Sequence, residues 1–355
     1  MSSQVRRYAF INAKLRARLT KLLDEKVIDR IIEAPTIEDA LLFLRGTTYA
    51  ELETLYNKTG DFKAGELELF KREVSHYVEL KKYVDGEVLD IVRALALNYE
   101  IETLKNALRL FFDRTVRGRS VDDQMRYLFT ERIENEIDTV KIAAAENLDR
   151  VVALLSNSPY ADIVDKHREA VVGETTLFPL EIALDRFYHA NLLEKTGRLS
   201  GRDRDVARRL IRIEIDLLNI NWIIRFRSLY KLPLERALQY IIPSGFTIDQ
   251  AAVREAYASE KVVGILQGIV KKKYPSLATL LTAPPGDTNS RLLLIERILH
   301  EILMIEVGKI LSGYPFSIGI ILAYFILKRN EIRRLNAVLN AKQYRLTKQR
   351  IREAL

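Results

Sequence analysis

Apolar residues recur three and four positions apart along most of the chain, as in Ile11, Leu15, Leu19 and Leu22, and again in Leu89, Val92, Leu95, Ile101, Leu104 and Leu108. That spacing sets them on one face of a helix, and the period-two alternation of a half-buried strand is hard to find. Breakers fall between such stretches, at Ala34-Pro35, Gly60, Ser158-Pro159, Leu232-Pro233, Ile242-Pro243, Ala283 to Asp287 and Gly313 to Pro315. Two of them double as helix starts: Thr36 precedes the acidic turn Glu38-Asp39, and Ser244 precedes Thr247 to Asp249. The pattern predicts an all-α chain.

The pattern also repeats. Thr36 to Leu52, an apolar stretch turned by a short polar link into a tyrosine-led one at Tyr49, returns 111 residues later as Asn147 to Ile163 with Tyr160. A weaker copy, Val262 to Leu277 with Tyr274, follows after a further 114. A second anchor lies further along each unit. It places an acid (Glu100, Asp216, Glu331), a polar residue three on (Thr103, Asn219, Arg334), an aliphatic four on (Leu104, Ile220, Leu335) and a polar residue nine on (Arg109, Arg225, Asn340). The acids are 116 and 115 residues apart, so two anchors keep one order at one period. We expect three similar helical domains at 1–118, 119–235 and 236–355. The tyrosines read as packed rings with satisfied hydroxyls, the acids as caps or inter-helix ion pairs, and Trp222 as core.

Charge changes the picture at one end only. The net charge is +8, and residues 328–355 carry nine basic side chains against Glu331 and Glu353. Nearly all the excess therefore sits in the last 28 residues. Such a segment suits an acidic partner, and a helical nucleic-acid-binding protein is the alternative it raises. The runs around Arg198 to Arg209 and Lys271 to Lys273 alternate with acids or stand alone and read as solvated faces. The longest apolar run, Ile318 to Leu327, has ten residues, half of what a membrane-spanning helix needs at about 20. The opening Met1 to Arg7 lacks the apolar block of a signal peptide, so any membrane association is expected to be peripheral.

Catalytic signatures do not turn up. The sequence has no cysteine, which removes thiolate chemistry and Cys-ligated metals. It has no phosphate-cradling glycine loop and no nucleophile elbow. The four histidines, His76, His167, His189 and His300, are scattered singly without metal-ligand spacing. No enzyme, cofactor, metal or small-molecule substrate is expected, and a solenoid scaffold is disfavoured because its repeats run to about 20–45 residues.

With the repeats in place, the chain resembles the C subunit of archaeal and bacterial A/V-type rotary ATPases, called d in the eukaryotic vacuolar enzymes. The residues that carry the resemblance are Tyr8 to Arg16, Leu41 to Leu52 with Thr48-Tyr49, Asp216 and Asn219 through Arg225, and Tyr314 through Leu335, and it extends over essentially the whole chain. It implies three helical domains arranged as a funnel around a pseudo-threefold axis. It also implies a non-catalytic central-stalk role: joining central shaft subunits of the soluble head, of D and F type, to the membrane rotor ring of proteolipid, at the cytoplasmic face of the cell membrane. Neither nucleic acid nor a small molecule is implied as a partner. From the charge concentration and the repeated register, Arg109, Arg225, Arg333, Arg334, Lys342 and Arg345 are the expected partner contacts.

Overall fold

The computed structural model describes residues 3–228, 230–243, 245, 254, 274–277 and 288–354. Among them every regular element is helical, and no strand occurs. The expected all-α class holds. The helical part of the third tyrosine copy, the Lys271 to Lys273 run, the Ala283 to Asp287 breaker and the cap expected at Ser244 lie outside the described residues, although Tyr274 itself is described. Among the described residues no helix is long and apolar enough to cross a membrane.

The chain divides into two units. The larger comprises residues 17–195 and 327–353. In it α2 (Glu25–Glu33), α3 (Ile37–Leu42), α4 (Glu51–Thr59) and α5 (Phe62–Leu80) lead to the long α6 (Gly86–Thr115). The short α7 (Asp122–Met125), α8 (Thr139–Ala143), α9 (Leu148–Leu154) and α10 (Ala161–Lys166) follow, and α11 begins at Phe178 and ends at Arg198. Local chemistry sets the ends. Asp24, Thr36, Asp61 and Asn147 each place a side-chain oxygen on an otherwise unsatisfied first-turn N–H of α2, α3, α5 and α9. Thr36 and Asp39 bond reciprocally, as their spacing predicts. Gly60, at φ +64°, takes the left-handed conformation that closes α4. Helix α6 is buried over most of its circumference, at Val88, Ile91, Val92, Leu95, Tyr99, Ile101, Leu104, Leu108, Phe111 and Phe112, and packs against α5 and α8.

Two repeat copies fold alike down to single hydrogen bonds. After α3, the Thr47 hydroxyl donates to the Leu44 carbonyl at 2.7 Å and accepts the Tyr49 N–H at 3.0 Å. After α9, the Ser158 hydroxyl donates to the Leu155 carbonyl at 2.7 Å and accepts the Tyr160 N–H at 3.3 Å. In both, a hydroxyl two residues before the tyrosine makes the turn that aims its ring inward.

The smaller unit comprises residues 1–16 and 196–326. It contains most of α1 (Ser3–Leu19), α12 (Gly201–Ser228), α13 (Leu234–Tyr240) and α14 (Thr288–Ser312), with α12 packed along α14. Buried Asp203 gathers the Tyr8 hydroxyl at 2.8 Å and the Ile318 N–H at 2.9 Å, which fixes the opening of α1 beside the entry to α15 (Gly319–Gln343). Buried Asn219 uses both ends of its amide on the Ile242 backbone, at 2.8 and 2.9 Å. Trp222 is half-buried rather than core, tilted against Phe226 at 6.1 Å between centroids.

Candidate functional site

The acids of the second anchor and the tyrosines of the first, read separately from sequence, meet in space. In the larger unit Glu331, on α15, accepts the Tyr49 hydroxyl at 2.5 Å, the Leu23 N–H at 2.5 Å and the Lys328 ammonium at 2.7 Å. Lys328 also donates to the Tyr49 oxygen at 2.7 Å and lies over the same ring. Glu100, on α6, accepts the Tyr160 hydroxyl at 2.8 Å, the backbone N–H groups of Glu134 and Asn135, and the Asn135 side-chain amide. All four anchor side chains are buried. Burial, followed by the Glu100 charge, raises the Tyr160 phenol above its ordinary range, so it stays a donor. A buried carboxylate with three or four donors is satisfied; moved away from them it is a stranded charge.

The third tyrosine uses a different acid. In the smaller unit Tyr274 donates at 3.2 Å to Glu306 of α14, which is also bound by Lys309 and by Arg209 of α12, each at 2.7 Å. Burial and the Glu306 charge push the Tyr274 phenol up to about 12. Arg209 lies seven residues, about two helical turns, before Asp216, the anchor acid of the second unit, which is itself buried.

The basic C-terminal segment is folded onto α2. Glu25, Asp29 and Glu33 recur every four residues and line one face of that helix. Arg334 of α15 binds Glu25 with both terminal nitrogens, Arg352 of α16 (Lys348–Ala354) binds Asp29 and Glu33, and Lys348 binds Glu33 at 2.7 Å. Hydrogen bonding to Arg334 holds the Glu25 carboxyl below its usual range, and bonding to Lys348 and Arg352 does the same for Glu33. Beneath them buried Lys342 donates at 2.5 Å to the carbonyls of Ile32 and Ala34, the free acceptors at the end of α2. Ile351 enters the core of α2, α3, α4 and α5, together with Ile332, Leu335, Val338 and Leu339 of α15.

The six residues singled out from sequence are therefore spread out. Arg334 and Lys342 come together over α2. Arg109 is exposed on α6 and pairs with Glu181 of α11 at 2.6 Å. Arg225 is exposed in the last turn of α12, Arg333 is exposed on α15, and Arg345 is exposed just after it at φ +54°. The acidic stripe on α2 escaped the sequence reading, although its four-residue period was there to be found. Among the described residues no group of His, Asp and Glu could hold a metal ion.

Buried charge spent on joining one helical block to another is the make-up of a structural component. Residues 11–354 match the family described as ATP synthase (C/AC39) subunit, and the chain belongs to that family, whose members are non-catalytic central-stalk components of A/V-type rotary ATPases. Relatives of similar length are each named as the C subunit of an A-type ATP synthase. That of Methanosphaera stadtmanae is 23% identical over 95% of this chain and 84% of its own. That of Methanocaldococcus jannaschii is 22% identical over 98% and 86%, and that of Pyrococcus horikoshii 21% over 98% and 90%. Membership in this family displaces the nucleic-acid alternative that the basic terminus raised.

Proposed function

We propose that the chain is the adaptor between the central shaft of an A-type rotary ATP synthase and its membrane rotor ring. It receives the D- and F-type shaft subunits at one end, rests on the proteolipid ring at the other, and sits peripherally at the cytoplasmic face of the cell membrane. Its three similar helical domains, 1–118, 119–235 and 236–355, form a funnel around a pseudo-threefold axis. The near-full-length family match carries this reading. The anchor pairing supports the threefold arrangement: Tyr160 of the second copy bonds Glu100 of the first, and Tyr49 of the first bonds Glu331 of the last. In a closed ring of three, the first block has to meet the last.

An adaptor that carries torque needs interfaces above roughly 2,000 Å² or polar contacts that key one part to the next. The proposed keys to partners are taken by exposure alone: Arg225, Arg333 and Arg345, with Arg109 beside its pair with Glu181, whereas Lys342 is buried against α2. The test is a complex depleted of this protein and reconstituted with it. Adding the chain should restore ATP-driven ion pumping and retain shaft and ring subunits in a pull-down. Reversing Arg225, Arg333 and Arg345 together should leave ATP hydrolysis running while pumping falls. Restored hydrolysis with no gain in pumping on adding the unaltered chain would refute the reading.

A further inference from the structure

We propose that the two tyrosine–carboxylate nodes, Tyr49–Glu331–Lys328 and Tyr160–Glu100, are the positioning groups that stop one helical block from sliding along the next when the protein carries torque; this rests on the adaptor reading above. Apolar packing resists some displacements better than others. Contacts such as those of Leu335, Val338 and Leu339 against α2 to α5 are non-directional, and ridges on one helix meet a similar groove one turn along its neighbour. Such an interface opposes separation better than it opposes slip.

A node behaves otherwise. Glu331 is held by a phenol, a backbone N–H and an ammonium, and Glu100 by a phenol and three N–H donors. Both carboxylates are buried, and the next turn of each helix offers apolar neighbours: Leu335 and Leu104, four residues on, are fully buried themselves. A shift of one turn therefore takes all four donors from Glu100 at once, and takes the phenol and the backbone N–H from Glu331, which keeps only Lys328 of its own helix. The same device occurs at two junctions in one sequence register, built from different supporting donors. What they share is the acid, the tyrosine hydroxyl and a backbone N–H donor. A single buried charged group fixing register between helices is the best attested use of such a pair.

Deleting one oxygen tests it. Tyr49→Phe and Tyr160→Phe keep the rings and the apolar packing, and Tyr83→Phe, on a partly exposed ring that belongs to neither node, is the control. Each variant is reconstituted into the depleted complex in sealed vesicles, and ions pumped per ATP are measured from zero membrane potential up to the potential at which pumping stalls. Both node variants should pump as the unaltered chain does without load. Near stall the fraction of ATP hydrolysed without pumping should rise about tenfold, the factor that corresponds to losing one hydrogen bond to a charged group. Amide exchange at Leu23, and at Glu134 and Asn135, should quicken in the respective variants.

Slip equal to that of Tyr83→Phe at every load, with amide exchange showing that the node has loosened, would overturn the proposal. So would coupling lost already at zero load together with lost shaft binding, which assigns the hydroxyl to folding alone. If Tyr49→Phe does not fold, Tyr160→Phe decides, because Glu100 keeps three donors. Failure of the unaltered chain to restore pumping would instead strike the adaptor reading, and the two failures are thereby told apart.

Discussion

Replacing Ile351 by alanine asks what holds the C-terminal helix α16 against α2. Charge is the visible answer, since Lys348 and Arg352 reach Asp29 and Glu33. These four side chains are each about half exposed or more, between 49% and 57%, so water screens the pairs, and ordering the long side chains offsets much of the attraction. Ile351 is 2% exposed within the α2 to α5 core. Truncating a buried isoleucine to alanine costs about 2–5 kcal/mol, and a terminal helix that can partly collapse into the gap belongs near the lower end. Ile351→Ala should therefore lower the urea midpoint of the larger unit clearly, while Lys348→Ala with Arg352→Ala lowers it far less. In 1 M salt, where the screening length shrinks to about 3 Å, the charge variant should match the unaltered chain and the isoleucine variant should keep its deficit. A charge variant as destabilised as Ile351→Ala, or a deficit in Ile351→Ala that salt abolishes, would refute the reasoning.

Acid should weaken the fold before it protonates any ordinary carboxylate. Burial, then Arg329 and Lys105, pushes the His189 imidazole down to about 3, and burial, then Lys328 and Arg18, pushes His76 down to about 4. The unfolded chain takes up those protons near pH 6.5 and the folded chain does not, so stability that is complete above about 6.5 is lost as pH falls, at about 1.4 kcal/mol per pH unit for each histidine. Urea midpoints at pH 7 and pH 5 check this, and His189→Asn should flatten the slope; equal midpoints would contradict it. Lys342→Met should cost about 1.5–3 kcal/mol, because it keeps the apolar stem and strands the Ile32 and Ala34 carbonyls. Urea unfolding measures it, and a neutral substitution would mean that water takes over both acceptors.

The helices were legible because burial selects for three-and-four spacing, and the cap at Thr36 because a hydroxyl before an acidic turn has one good use, while the cap at Asn147 was passed over. Tyr49 and Tyr160 were recognised as packed rings, and both are. Their partners were not legible. Tyr49 and Glu331 are 282 residues apart, and nothing local in either segment says which of three acids closes on which of three tyrosines. The sum of charge at the C-terminus hid how it is used: Arg334, Lys348 and Arg352 answer a stripe on α2 that adds only three acids to a mixed background. A count by segment loses what a count by helical face retains.

The register explains why the acid is the residue to perturb and its polar neighbour is not. Three positions on from the acid, Thr103 bonds the Glu100 carbonyl within its own helix, Asn219 grips the Ile242 backbone, and Arg334 reaches out to Glu25. One register position thus does three unrelated jobs. Nine positions on, chemistry changes while the job stays: Arg109 donates to Glu181, and Asn340, shorter and uncharged, donates to Glu66. At the acid itself both remain constant in the two copies where tyrosine meets it, a carboxylate taking a phenol and backbone N–H groups in a dry setting. A residue type kept where its partner, burial and donors are also kept is constrained by the contact. A residue type that varies with its partner is constrained only by the need to satisfy a polar group locally. Slip between blocks should therefore answer to Tyr49, Tyr160, Glu100 and Glu331, and be indifferent to Thr103 and Arg334 once the fold is intact.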